Sequence, residues 1–100
     1  MPIFSFPGEP RWEEAQDCVV FAVELGEYRG EVFVPRRLFH DLLGRRPTPE
    51  QCVELFHIHR VVFERISEAK LRARELAPDA NLHLTTRDLR RARASGSPEF

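Results

Sequence analysis

Thr48-Pro49-Glu50-Gln51-Cys52-Val53-Glu54-Leu55-Phe56-His57-Ile58-His59-Arg60-Val61-Val62-Phe63 is the stretch whose reading decides the fold. A hydroxyl at Thr48, a proline one position on and an amide at Gln51 spell a capping box. In it the cap and the third residue satisfy each other's orphan backbone donors. From there Cys52, Leu55, His59, Val62, Ile66, Ala69, Ala73 and Leu76 recur at alternating spacings of three and four. The stripe predicts one long amphipathic helix over residues 49–77, about 43 Å long at 1.5 Å per residue. Its thinning second half would overhang the rest of the domain and offer a dimer contact. A helix oily along one side needs a surface to lie on.

Residues 18–35 supply that surface as a β-hairpin. Val19, Phe21, Val23 and Leu25 alternate with Val20, Ala22 and Glu24, and Gly26-Glu27 fits a two-residue turn of type II′, which needs glycine first. The turn fixes the register. Leu25 then faces Tyr28, Val23 faces Gly30, Phe21 faces Val32 and Val19 faces Val34, all on one apolar face. On the other face Glu24 meets Arg29 and Val20 meets Phe33.

Outward from the hairpin, Ile3-Phe4-Ser5-Phe6 reads as a short edge strand stopped by Pro7-Gly8. Trp12 lies between charged clusters and is expected to fold its ring over the margin of the sheet. Pro35 suits a first helical position, and residues 36–43 form a short helix burying Leu38, Phe39, Leu42 and Leu43, with Gly44 as its terminator. Asn81 to Thr85 reads as a last strand, and Thr85 or Thr86 as the cap of a polar segment running to Ala94. The class expected is α+β in two layers. A three- or four-stranded, mostly antiparallel sheet packs on the long helix with the short helix beside it. Residues 1–92 form one domain and residues 93–100 a flexible tail. Residues 96–100, Gly-Ser-Pro-Glu-Phe, look like a translated BamHI–EcoRI cloning linker.

One hundred residues suffice for a single domain. No apolar run approaches the roughly 20 residues of a membrane helix, and the N-terminus lacks the basic region of a secretory signal. Cys18 and Cys52 fall where small apolar residues would do. They are expected as reduced, buried thiols of a cytoplasmic protein. Net charge is −1, but residues 1–35 carry two arginines against seven carboxylates, a net −5, which leaves +4 for the remainder. Such a layout can steer a partner or favour head-to-tail self-contact.

The order Ile3-Phe4-Ser5-Phe6-Pro7, Trp12, Val19-Val20-Phe21 and Gly26 resembles a group of short bacterial proteins, the domain-of-unknown-function family 1488. That family's helix pattern F-x-x-N-R-x-x-I-E is similar to Phe56-His57-Ile58-His59-Arg60-Val61-Val62-Phe63-Glu64, with His59 in place of Asn and Phe63 in place of an aliphatic residue. The closing Leu82-His83-Leu84 followed by Asp88-Leu89 is similar too. The resemblance spans about residues 3–89. It implies a small cytoplasmic α+β domain and no activity.

Chemistry-bearing groups are sparse. Cys52 and His59 are about 10.5 Å apart along a helix axis, too far to share a zinc that holds its ligands near 2.0–2.3 Å, so no metal or cofactor is expected. The sharpest local site is a pocket of His59, Arg60 and Glu64 against Trp12 or Tyr28. A second is a phosphate-contacting patch of Arg36, Arg37, Arg45, Arg46, Arg90 and Arg91, since arginine forks match phosphate oxygens. The slightly negative total charge counts against a nucleic-acid partner. The expectation is a non-enzymatic domain acting through contacts with another protein or with itself. The alternatives are weak nucleic-acid binding through the arginines and a ligand-binding or enzymatic pocket at His59.

Overall fold

A computed structural model describes residues 3–94. In chain order it holds β1 (Phe4–Ser5), β2 (Arg11–Glu13), β3 (Cys18–Leu25), β4 (Tyr28–Pro35), α1 (Arg36–Leu43), α2 (Pro49–Ile58), α3 (Arg60–Arg72), β5 (Leu82–His83) and α4 (Thr86–Ala94). The proposed linker at 96–100 lies outside the described residues, and the tail placed from residue 93 begins within α4 for its first two positions. None of the described helices is long and apolar enough to cross a membrane.

The hairpin is as the alternation predicts. β3 and β4 pair antiparallel from Cys18↔Pro35 to Leu25↔Tyr28 in the expected register. Gly26 takes φ 59° and Glu27 stays at negative φ, the II′ requirement. Around this pair the sheet runs β1-β3-β4-β5, with β2 also on β3. β1 and β2 share the outer edge of β3. The register steps from Ser5↔Glu24 to Arg11↔Val20, so residues 6–10 loop past residues 21–23. β5 pairs parallel with β4, Val32↔Leu82 and Phe33↔His83, as a long helical crossover permits. The sheet is thus open and mixed, and the class is α+β.

One face of the sheet meets α1, α2 and α3, and α4 packs on α1 and α3. Val19, Phe21, Val23, Val32, Val34 and Leu82 join Leu38, Phe39, Cys52, Phe56, Phe63 and Leu89 in one buried cluster. The opposite face is not bare. Cys18, Val20 and Phe33 form a second buried group. Arg11, opposite Val20, reaches Glu31 at 2.8 Å; Glu24 and Arg29 pair at 3.3 Å; and His83 stacks on Phe33 at 4.8 Å.

The single helix expected over 49–77 is two helices. The capping box at Thr48 is present, with Thr48 N donating to Gln51 Oε1 at 2.9 Å and Gln51 N donating to Thr48 Oγ1 at 3.1 Å. α2 ends at His59, whose φ −106° and ψ 23° leave the helical region. A straight 43 Å rod would exceed the 39 Å long dimension of the molecule. The break lets Phe56 and Phe63, about 10.5 Å apart along a straight axis, stack at 5.6 Å. The residues there (His57, Ile58, His59, Val61, Val62, Phe63) are weak helix formers, so the bend is inexpensive.

α3 also stops earlier than the stripe predicts, which removes the overhang. Glu75 N donates to Lys70 O at 2.9 Å and Arg74 N to Leu71 O at 3.0 Å, a Schellman ending with Arg74 at φ 57°. α3 is then joined to α4 by one carboxylate. Asp88 Oδ2 accepts from Lys70 Nζ at 3.0 Å and from Thr85 N at 2.9 Å, while Asp88 N donates to Thr85 Oγ1 at 3.2 Å. Thr85 is therefore the residue that caps α4.

Gly30 has a packing reason. The Tyr28 ring lies over it, and the phenol donates to Ala80 O at 2.7 Å, tying β4 to the turn before β5. A Cβ at Gly30 would fall on that ring. Gly30→Ala is expected to lower stability in urea unfolding by at least the cost of Tyr28→Phe, about 1 kcal/mol, and the double variant by less than the sum. Arg74→Gly, which relieves a side chain in left-handed backbone, should raise stability by up to about 1 kcal/mol in the same measurement.

Candidate functional site

An open groove lies between β2 and the start of α2. Pairing with Val19 puts Trp12 on the helix side of the sheet, at its margin. The capping box fixes the first turn of α2 opposite. Trp12, Glu14, Pro49, Glu50 and Val53 line an open cleft of about 460 Å³. The indole is held on two sides. Its Nε1 donates to Glu14 Oε2 at 2.7 Å, and the Arg36 guanidinium lies 4.9 Å from its centroid. Arg36 is fixed in turn by Asp17, with Nη2 at 3.0 Å from Oδ1 and its backbone N donating to Asp17 O at 3.1 Å. The reading of Trp12 as a cover over the sheet's margin agrees with this placement. β2 itself was not legible, because its three residues are held by backbone pairing and show no alternation.

His59, Arg60 and Glu64 are neighbours at the bend between α2 and α3. Arg60 Nε donates to Glu64 Oε2 at 2.9 Å, and the guanidinium lies 6.0 Å over Phe56. The His59 carbonyl accepts from Val62 N and Phe63 N at 3.0 and 3.2 Å, so the residue starts α3 as well as ending α2. Trp12 does not join them. The cleft stops at Val53, and His59 lies roughly 9 Å further along the helix.

The arginines divide. Arg36 is spent on Asp17 and Trp12, with only 14% of its side chain exposed. Arg37, Arg45 and Arg46 are exposed on α1 and the loop after it, and Arg91 on α4. α1 packs on α4, where Arg90 approaches Asp41 at 3.8 Å.

The structure adds a cluster that the sequence did not single out, at residues 77–83. Asp79 Oδ1 accepts from Asn81 N at 2.9 Å, an Asx-turn, and Oδ2 meets His83 Nε2 at 3.0 Å. Asn81 Oδ1 accepts from Glu31 N at 3.0 Å. The Asn81 N–H and the His83 ring hold the Asp79 carboxyl below the usual carboxylate range. These bonds fasten a turn to the sheet. The legible signal was Pro78-Asp79 followed by Asn81, an Asx-turn composition.

Both cysteines are free and buried. Burial pushes each thiol up to about 11; Glu13 and Asp17 add to the rise at Cys18, while Arg36 offsets part of it at Cys52. Among the described residues, no three of His, Cys, Asp and Glu are grouped to hold a metal ion.

Comparison with known proteins agrees with the fold. The family model described as "Protein of unknown function (DUF1488)" matches residues 4–84. A crystal structure of a protein of unknown function from the DUF1488 family of Shewanella loihica PV-4 is similar over 81% of this chain and 90% of its own. The TM-score is 0.74 at 13% identity. No curated protein matches the chain.

A thiolate is the reacting form of cysteine, so neither thiol should react with a maleimide at pH 7–8 while the chain is folded. Labelling is expected only in denaturant. Because folding raises both pKa values, folded stability should fall as pH climbs from 9.0 towards 11, where the unfolded thiols ionise first.

Proposed function

For a chain that belongs to the DUF1488 family, whose function is unknown, we propose a non-enzymatic domain that works through protein contacts. The observation that carries this reading is the open cleft at Trp12, with an aromatic ring, a proline and a valine on its walls. Open apolar surface rimmed by polar groups is what a contact site presents. Ile58 and Val61, on either side of the bend at His59, are 64% and 47% exposed and are separate apolar surface that a contact could cover. The occupant is a partner chain or a second copy. Buried reduced thiols suit a cytoplasmic setting for that contact.

A second reading has some support. Arg37, Arg45, Arg46, Arg90 and Arg91 lie on two packed helices and the adjoining loop, and could together meet a phosphate backbone. The interleaved Asp41 and the net charge of −1 weigh against it. A ligand pocket at His59, Arg60 and Glu64 has less support, because Arg60 and Glu64 already satisfy each other.

Val53→Arg tests the contact reading by filling the cleft from a half-buried position. Tagged wild-type and variant chains are cross-linked in cells and their adducts compared, with light scattering at rising concentration to identify a second copy. The variant should keep its circular dichroism and melt within a few degrees of wild type, yet lose the adducts. Equal adducts from both chains would remove the cleft as the contact.

A further inference from the structure

Resting on that contact reading, we infer that the Trp12 cleft takes an arginine side chain carried on a basic segment of a partner protein. The polar members of the lining are both acids, Glu14 and Glu50. Glu50 is exposed and has no ion pair among the described residues, and Glu54 continues the acidic row one turn along the exposed face of α2. The other three lining residues, Trp12, Pro49 and Val53, offer a smooth apolar bed for a methylene stem. Residues 1–35, which include Trp12 and Glu14, carry a net −5 and favour the approach of a positive segment.

The corner already displays the pairing in miniature. Arg36 sits with its guanidinium 4.9 Å from the indole centroid and 3.0 Å from the Asp17 carboxylate. An arginine arriving from outside would meet the same two chemistries, an aromatic ring and carboxylate oxygens. Asp17 balances the charge of Arg36, which leaves Glu14 and Glu50 as the carboxylates on the cleft wall. A planar guanidinium stacks on indole and forks to two oxygens, which an ammonium cannot do as well. The cleft is too open to enclose a free small molecule. A segment that also runs past Glu54 gains contacts that a lone side chain lacks.

Trp12 is the single tryptophan of the chain, so its emission reports on the cleft directly. The full chain is titrated at low salt with a short Arg–Gly repeat peptide, a Lys–Gly repeat and a Glu–Gly repeat. Expected are a saturable change with the arginine peptide, weaker binding of the lysine peptide and none of the glutamate peptide. In Glu14→Gln/Glu50→Gln, which keeps an acceptor for the indole, the arginine affinity should fall about tenfold. Circular dichroism checks that this variant is folded. Equal affinity in wild type and variant, no response to the arginine peptide, or lysine binding as tight as arginine would overturn the inference. A change of emission with protein concentration alone would do so too, by assigning the cleft to a second copy. If the arginine peptide fails while Val53→Arg still loses its adducts, the arginine occupant falls and the contact reading stands.

Discussion

The ring of Phe56 is the junction on which the rest of the domain depends. It lies 4.7 Å from Phe21 on the central strand and 5.6 Å from Phe63 on α3, and Phe63 in turn lies 5.5 Å from Phe39 on α1. One aromatic seam therefore ties the sheet to three helices. Phe39, Phe56 and Phe63 are fully buried, so each carries a large apolar surface out of water and gains offset ring contacts besides. The seam explains why the helical segment bends. A straight rod could set Phe56 on Phe21, or Phe63 on Phe39, but would hold the two halves too far apart to close the row.

Bending at His59 has a second effect, on where the surface chemistry falls. With α2 turned across β2 and β3, its first turn stands opposite Trp12; with α3 directed toward β5 and α4, Lys70 reaches Asp88. The Trp12 groove and the Lys70–Asp88 contact thus fall to different helical segments, one before the bend and one after it. The far face of the sheet follows another rule. Its apolar patch at Cys18, Val20 and Phe33 is roofed by ion pairs and by His83, not by a helix. Burial there depends on long side chains lying flat, as arginine stems do over apolar ground.

Legibility tracked the range of the determining interaction. The hairpin register could be read residue by residue, because Gly26 and the alternation on both arms are local and agree. The short helix 36–43, with Gly44 at φ 82° closing it, was readable for the same reason. The bend at His59 was not, since the spacing of three and four runs through it unbroken and only distant Phe39 and Phe21 demand the turn. Nor was the parallel partnership of β5 with β4, whose two residues carry no register of their own. Trp12 was placed correctly at the margin but grouped with His59, because sequence pattern gives the face of a helix and not which of its turns a distant strand meets.

The interrupted outer edge has a consequence for how copies of this chain can associate. Pro7 and Pro10 lack a donor, Gly8 sits at φ 78°, and together they split what would be a full-length flanking strand into pieces of two and three residues. At the opposite margin β5 offers only two residues. Among the described residues, neither rim presents the long run of open amides and carbonyls that templates intermolecular ladders and fibril growth. Copies brought together would then meet through side chains rather than through open backbone ladders, so crowding need not turn the β-structure into glue.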